Sequence, residues 1–281
     1  MLQVKDISLS FGKAAILKQV SLSARAGELC VIMGANGAGK STLLKVVAGE
    51  YPHYRGSVQI AGSELREMPV AEQARKRAVL SQQLTLNQFF PVTDVVSMGR
   101  YVYGTHLSVL DREIIDCALK TMQVYDLRNR TYPTLSGGQK QRVQMARVLA
   151  QLLEAPDLYA TDYAGKKMLL LDEPVTGMDI LHQQLSLQLA ATLARQGVLV
   201  VAVLHDFQLA AAYAHQLFLL KDGTVYAQGT ATAVLTPAHI KHCFGVDVNI
   251  LQHPHYDYPL VVTAATAGLF QSPAAMATNE M

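Results

Sequence analysis

Residues 2–10 alternate between apolar and polar positions, with Leu2, Val4, Ile7 and Leu9 apolar, and this period predicts a half-buried strand. Val20–Ala24 reads as a second strand, and Val58-Gln59-Ile60, after the turn residue Gly56, as a third. Glu28–Met33 is a short apolar run that ends in a glycine-rich loop, and Leu43, Leu44, Val47 and Ala48 then follow at helical spacing. From about Val92 to Leu153 the spacing is mostly helical, carried by Val95, Val96 and Met98, by Ile114, Ile115, Leu119 and Met122, and by Val143, Ala146, Leu149 and Leu153. Unbroken apolar runs return at Met168–Leu171 and Val198–Leu204, the pattern of strands buried on both faces of a parallel sheet. Leu217–Leu220 and Val225–Ala227 flank Lys221-Asp222-Gly223-Thr224 and predict a hairpin with a glycine turn. Residues 266–281, rich in Ser, Pro, Ala and Thr, read as a flexible tail.

Composition narrows the class. Hydrophobic residues make up 50% of the 281 and charged residues 16%, which suits a sizeable core and argues against disorder. The net charge of +2 gives no electrostatic footprint for nucleic acid, and the longest basic cluster is only Arg75-Lys76-Arg77. Cys30, Cys117 and Cys243 are too sparse for a disulfide framework or a metal site and read as reduced thiols. Residues 1–6 lack the basic and apolar regions of a signal peptide. The longest apolar run, Val198–Leu204, is far shorter than the roughly 20 residues needed to span a bilayer, so membrane contact is expected through a partner.

The chemistry begins at Gly34-Ala35-Asn36-Gly37-Ala38-Gly39-Lys40-Ser41, with Thr42 behind it. Glycine, four residues, then Gly-Lys-Ser is the pattern of a phosphate-binding loop, and here a strand precedes it and a helix follows. Glycines let backbone N–H groups approach a phosphate without a Cβ in the way, and the following helix offers its N-terminus to the same anion. Lys40 is placed to reach the β- and γ-phosphates of ATP, and Ser41 to coordinate Mg2+. Asp172 and Glu173 emerge from the apolar run Met168–Leu171; in a phosphate-loop protein the first acid holds Mg2+ and the second can polarise an attacking water. An acidic surface turn is the plainer reading of that pair, which the phosphate loop disfavours.

Leu135-Ser136-Gly137-Gly138-Gln139, followed by Lys140-Gln141-Arg142-Val143 and Ala146-Arg147-Val148-Leu149-Ala150, resembles the signature of ABC ATPases. Physically, Ser136 and two glycine amides at a helix start form a second anion cradle, although Ser-Gly-Gly is also an ordinary helix N-cap. The resemblance covers about residues 2–250. It implies an α/β fold: a RecA-like P-loop NTPase core, an antiparallel β subdomain and an inserted α-helical subdomain. Residues 1–265 then form one ATPase domain, with the helical subdomain at about 90–155.

Further roles follow from the same resemblance. Gln82 takes the place of the glutamine that touches Mg2+ and the attacking water, with Gln83 as the neighbouring candidate. His205, after the apolar run ending at Leu204, takes that of the histidine on the γ-phosphate; strand-end histidines are also commonly structural. Phe11 takes that of the base-stacking aromatic, with core packing as its rival role. Leu135–Gln139 and Asp179 would face ATP held by a second copy, so the resemblance implies a homodimer. Val175-Thr176-Gly177-Met178-Asp179 departs from the family pattern, and Gly177 adds backbone freedom there.

Within the family the chain is similar to importer ATPases for iron chelates, and most to those for haem. The features are Arg147–Leu152, the widened segment Leu153–Lys167, Val203–Ala211 and His253-Pro254-His255. The implied partners are a polytopic permease in two copies and, indirectly, a periplasmic binding protein, with the chain at the cytoplasmic face of the inner membrane. Siderophore or cobalamin import is the runner-up. No direct haem contact is expected: His239 and His242 have helical spacing, His253 and His255 read as extended, and no ligand set is complete. A non-transport ABC ATPase would be expected to carry a coiled-coil insertion or a second cassette, and the signature argues against a kinase or GTPase.

Overall fold

The computed structural model of the chain describes residues 1–81 and 89–264. β1 (Leu2–Phe11) and β2 (Ala14–Ala24) pair antiparallel, Leu2 opposite Ala24 and Phe11 opposite Ala14. The alternation read from the sequence changes phase between Val4 and Ile7, because Asp6 is left-handed (φ 51°) and the register shifts there. Gln19 (φ 53°) does the same in β2, between buried Leu17 and Val20. That is why β2 starts at Ala14 although the period of two is visible only from Val20.

β3 (Leu29–Met33) leads through the glycine loop into α1 (Lys40–Val47). β4 (Arg55–Ile60) and β5 (Ser63–Glu64) complete an antiparallel sheet of order β2-β1-β4-β5. α2 (Val70–Lys76) and β6 (Arg77–Leu80) precede residues 82–88. α3 (Val92–Ser97), α4 (Val109–Thr121) and α5 (Gly137–Leu152) pack together as a helical unit between β6 and β7 (Met168–Asp172). The chain continues through α6 (Ile180–Arg195), β8 (Leu199–Val203), α7 (Phe207–Tyr213), and the hairpin of β9 (Gln216–Lys221) and β10 (Thr224–Gly229). It closes with α8 (Ala231–Val234), α9 (Pro237–Phe244) and a second hairpin, β11 (Val248–Gln252) with β12 (Pro259–Thr263). His253-Pro254-His255 lies in the bend of that hairpin and is not extended: the Pro254–Tyr258 turn reverses the chain between the two strands.

Among the described residues the main sheet has the order β10-β9-β3-β8-β7-β6, parallel except for β10. Every residue of β3, β7 and β8 is buried, as unbroken apolar runs require. The two faces of β3 serve different cores. Leu29, Val31 and Met33 join the core shared with α4, α5 and α6, while Cys30 and Ile32 join the one shared with α1, β1 and β2. The glycine-rich loop thus leaves a strand fixed from both sides.

Side chains bolt the helical unit internally and to the sheet. Arg100 is buried, with Nε 2.7 Å from Asp111 Oδ1 and Nη1 donating to the carbonyls of Ala150 (2.7 Å) and Leu153 (2.8 Å). Burial opposes ionisation of Asp111, yet hydrogen bonds from Ser108 and Arg100 hold its carboxyl below the usual range. Gln151 donates to the carbonyls of Ala74 (2.8 Å) and Arg77 (3.1 Å), and Arg147 to that of Val79 (3.4 Å). Among the described residues, no helix is long and apolar enough to cross a membrane.

Candidate nucleotide site

Gly39 caps α1 in the left-handed region (φ 98°), a conformation that glycine adopts without the Cβ penalty, and so turns the loop into the helix. Lys40 is buried, and its Nζ donates to the carbonyls of Gly34 (2.9 Å) and Ala35 (3.0 Å), so the loop is closed on its own lysine. Asn36 and Gly37 are exposed at the loop tip, whereas Ala38 packs into the core. Ser41 and Thr42 occupy the first turn of α1 beside Lys40.

Ser41 Oγ donates to Asp172 Oδ1 across 3.0 Å, which joins α1 to the end of β7. Asp172 is only 2% exposed. Burial raises its carboxyl above the ordinary range; the Ser41 hydrogen bond works against this, Glu173 adds to it, and Lys45 and Lys40 oppose it. Burial likewise pulls the Lys40 ammonium down, against the attraction of Glu173 and Asp172. One buried carboxylate and one hydroxyl are hard oxygen donors, and they fit Mg2+, which keeps water and phosphate oxygens in its remaining positions.

Glu173 has φ 51°, an uncommon conformation for a residue with a Cβ, at the turn out of β7. Its Oε1 lies 2.7 Å from Nε2 of His205, and Thr176 Oγ1 donates to its Oε2 at 3.3 Å. His205 follows β8, so two neighbouring parallel strands deliver the pair at their C-terminal ends, where open α/β sheets bind ligands. Gln82 and Gln83 lie outside the described residues.

Phe11 stands at the end of β1, 49% exposed, with Tyr51 edge-on at 5.3 Å and 73°. The core-packing role is thereby ruled out for Phe11. Lys45 lies over the Tyr51 ring at 5.7 Å, so the exposed aromatic is braced from the P-loop helix side. The sequence reading missed Tyr51, because a lone aromatic after a helix carries no motif. It also missed Thr176 and His182, although both sit three residues after a singled-out acid.

Ser136 caps α5 in a full capping box: its Oγ accepts from the Gln139 backbone N–H at 3.3 Å, and Gln139 Oε1 accepts from the Ser136 N–H at 3.0 Å. The helix-cap role is thus present in these residues. Leu135 is buried and anchors the turn. A Cβ placed on Gly138 would lie 3.1 Å from the carbonyl oxygen of Gly177, so the signature and the Val175–Asp179 turn touch backbone to backbone. Together they wall a cavity of about 450 Å³ that includes Asp179 and His182 and no residue of the P-loop. The structure thus gathers Lys40, Ser41, Asp172, Glu173 and His205 at one place and Ser136–Gln139 with Asp179 at another.

Residues 17–176 match the ABC transporter family. The hemin import ATP-binding protein HmuV of Gloeobacter violaceus is 45% identical over 272 residues, covering 96% of this chain and 97% of that protein. Its namesake from Deinococcus radiodurans is 40% identical over 264 residues, covering 94% and 97%. Among solved structures, an inward-facing metal-chelate type ABC transporter superposes with a TM-score of 0.76 at 24% identity, over 94% of this chain and 97% of that one. A dimeric bacterial ABC transporter cassette superposes with a TM-score of 0.69 at 26% identity, over 82% and 99%. The phosphate loop, the acidic pair behind a buried strand and the signature at a helix start therefore have one common explanation: the chain belongs to the ABC transporter family and carries its ATP-binding cassette.

Proposed function

We propose that two copies of this chain bind two Mg·ATP head to tail and hydrolyse them to drive haem import through a partner permease at the cytoplasmic face of the inner membrane. The observation that carries the reading is the division of the site: the phosphate loop and acids form one cluster, and the signature lines a separate cavity that would meet a nucleotide only from another copy. The names borne by relatives at 40–45% identity support haem as cargo.

The P-loop backbone and Lys40 would hold the β- and γ-phosphates once Lys40 exchanges its two loop carbonyls for phosphate oxygens. Ser41, Asp172 and Gln82 would hold Mg2+, which would supply charge neutralisation to the transferring phosphoryl group. Glu173 would orient and deprotonate the attacking water, and His205, now on its carboxylate, would also reach the γ-phosphate. Phe11 would stack on the adenine. Ser136 to Gln139 of the opposite copy would close over the γ-phosphate, and its loss on hydrolysis would release the pair. The helical unit between β6 and β7 would pass this movement to the permease, which receives its cargo from a periplasmic binding protein.

The deciding experiment is ATPase activity of the chain with its permease in vesicles. Stimulation by haem-loaded binding protein is expected. Stimulation by a ferric siderophore or cobalamin without any by haem would overturn the cargo, and full turnover by a Glu173→Gln variant would overturn the base.

A further inference from the structure

Two long helices begin at one cavity. α5 starts behind its cap Ser136 and α6 behind its cap Asp179, and both caps lie in the wall of the 450 Å³ cavity together with Arg142. Two helix N-termini and a guanidinium converging on one space suit an anion such as the terminal phosphate of a nucleotide. One wall element contradicts that character: the Asp179 side chain is 66% exposed, and a bare carboxylate there would repel an incoming phosphate.

His182 answers the contradiction. Its backbone N–H donates to Asp179 Oδ1 at 3.0 Å, and its ring Nδ1 lies 2.8 Å from Oδ1 and 2.7 Å from Oδ2. A ring nitrogen set between two carboxylate oxygens has to carry the hydrogen, so Nδ1 is a donor in either protonation state and the carboxylate is held back against the start of α6. The His182 side chain is 19% exposed and lines the same cavity.

We infer that His182 is a positioning residue of the nucleotide site: it pins the Asp179 carboxylate back so that the cavity accepts the phosphate end of a nucleotide carried by a second copy. The inference rests on the two-copy reading above. It assigns Asp179 a cost as well as a role, since the acid that caps α6 must be restrained before an anion can dock.

The test is ATP-driven dimer formation in the Glu173→Gln background, followed by size-exclusion chromatography over an ATP series, with binding of a fluorescent ATP analogue to the monomer measured in parallel. E173Q alone should dimerise. Adding His182→Ala should raise the ATP needed by about tenfold while monomer binding stays unchanged, because the P-loop is untouched. Adding Asp179→Asn to that variant, or using His182→Asn instead, whose amide can donate as Nδ1 does, should recover most of the loss. Dimerisation of E173Q/H182A at unchanged ATP, or no recovery in either rescue variant, would overturn the inference alone. Failure of E173Q itself to dimerise would overturn the two-copy reading and this inference with it.

Discussion

Nε2 of His205 lies 2.7 Å from Oε1 of Glu173, so the residue proposed to take a proton from water and the residue proposed to meet the terminal phosphate are in direct contact. With Glu173 ionised, that short contact needs the hydrogen on Nε2, and His205 then orients the carboxylate. The two side chains should therefore behave as one unit.

Glu173→Gln should lower the rate of phosphate release by about 10²–10⁴-fold, the range for losing a general base, and leave ATP binding within a few-fold. His205→Ala should be less severe alone. The double variant should lose clearly less than the product of the two single losses, since part of what His205 does is to hold the Glu173 carboxylate. Additive losses in single-turnover assays would refute the coupling.

Lys40→Ala should weaken ATP binding by about 100-fold, the loss expected when a buried charge-assisted contact to phosphate disappears. Burial lowers the Lys40 pKa, so its charge is present below the shifted value and lost as pH rises through it. Nucleotide titrations of the wild-type chain should thus show affinity declining at alkaline pH before the usual lysine range, a decline that Lys40→Ala should lack.

Asp172→Asn should abolish Mg2+-dependent turnover and raise the melting temperature of the nucleotide-free protein by a few degrees. The sign follows from its raised pKa: ionising this buried acid costs the folded state stability above the folded pKa. Asparagine removes that cost at neutral pH. The advantage should vanish as pH falls below the unfolded value, where both forms are uncharged. Thermal melts between acid and neutral pH check it.

Phe11→Ala should raise the KM for ATP by about tenfold with kcat at saturation preserved, consistent with about 1–3 kcal/mol per stacked base. Tyr51→Ala should raise it less and Tyr51→Phe hardly at all, because the brace is an edge-on ring contact.

Arg100→Ala should destabilise the fold by about 3–5 kcal/mol in denaturant titrations, the penalty for leaving a buried partner charge without its mate. It strands Asp111 and the two α5-end carbonyls together.

The main sheet and the phosphate chemistry were legible because both are written locally. Met168–Leu171 and Val198–Leu204 show burial on two faces as an unbroken run, and Gly34–Ser41 carries its ligand chemistry in consecutive backbone groups. The phase changes at Asp6 and Gln19 were not legible, since nothing but a positive φ distinguishes them. The β11–β12 hairpin was missed because its strands are short and half exposed, with Leu251 apolar yet exposed. The Tyr51 brace and the Asp179–His182 contact depend on side-chain direction, which spacing alone does not give.

α5 joins two of these features in one rod. Gln151 is pinned to the backbone of α2 and β6, while the opposite end carries Ser136. Fifteen residues at 1.5 Å give a lever arm of about 22 Å, so a rotation of roughly 10° about the pinned end moves Ser136 by about 4 Å and Arg147 by only about 1 Å. On this geometry α5 would act as a mechanical amplifier: a small tilt about Gln151, at the cost of the Gln141 bonds to the Glu173 and Pro174 carbonyls, would be enough to make or break hydrogen-bond contact at its tip.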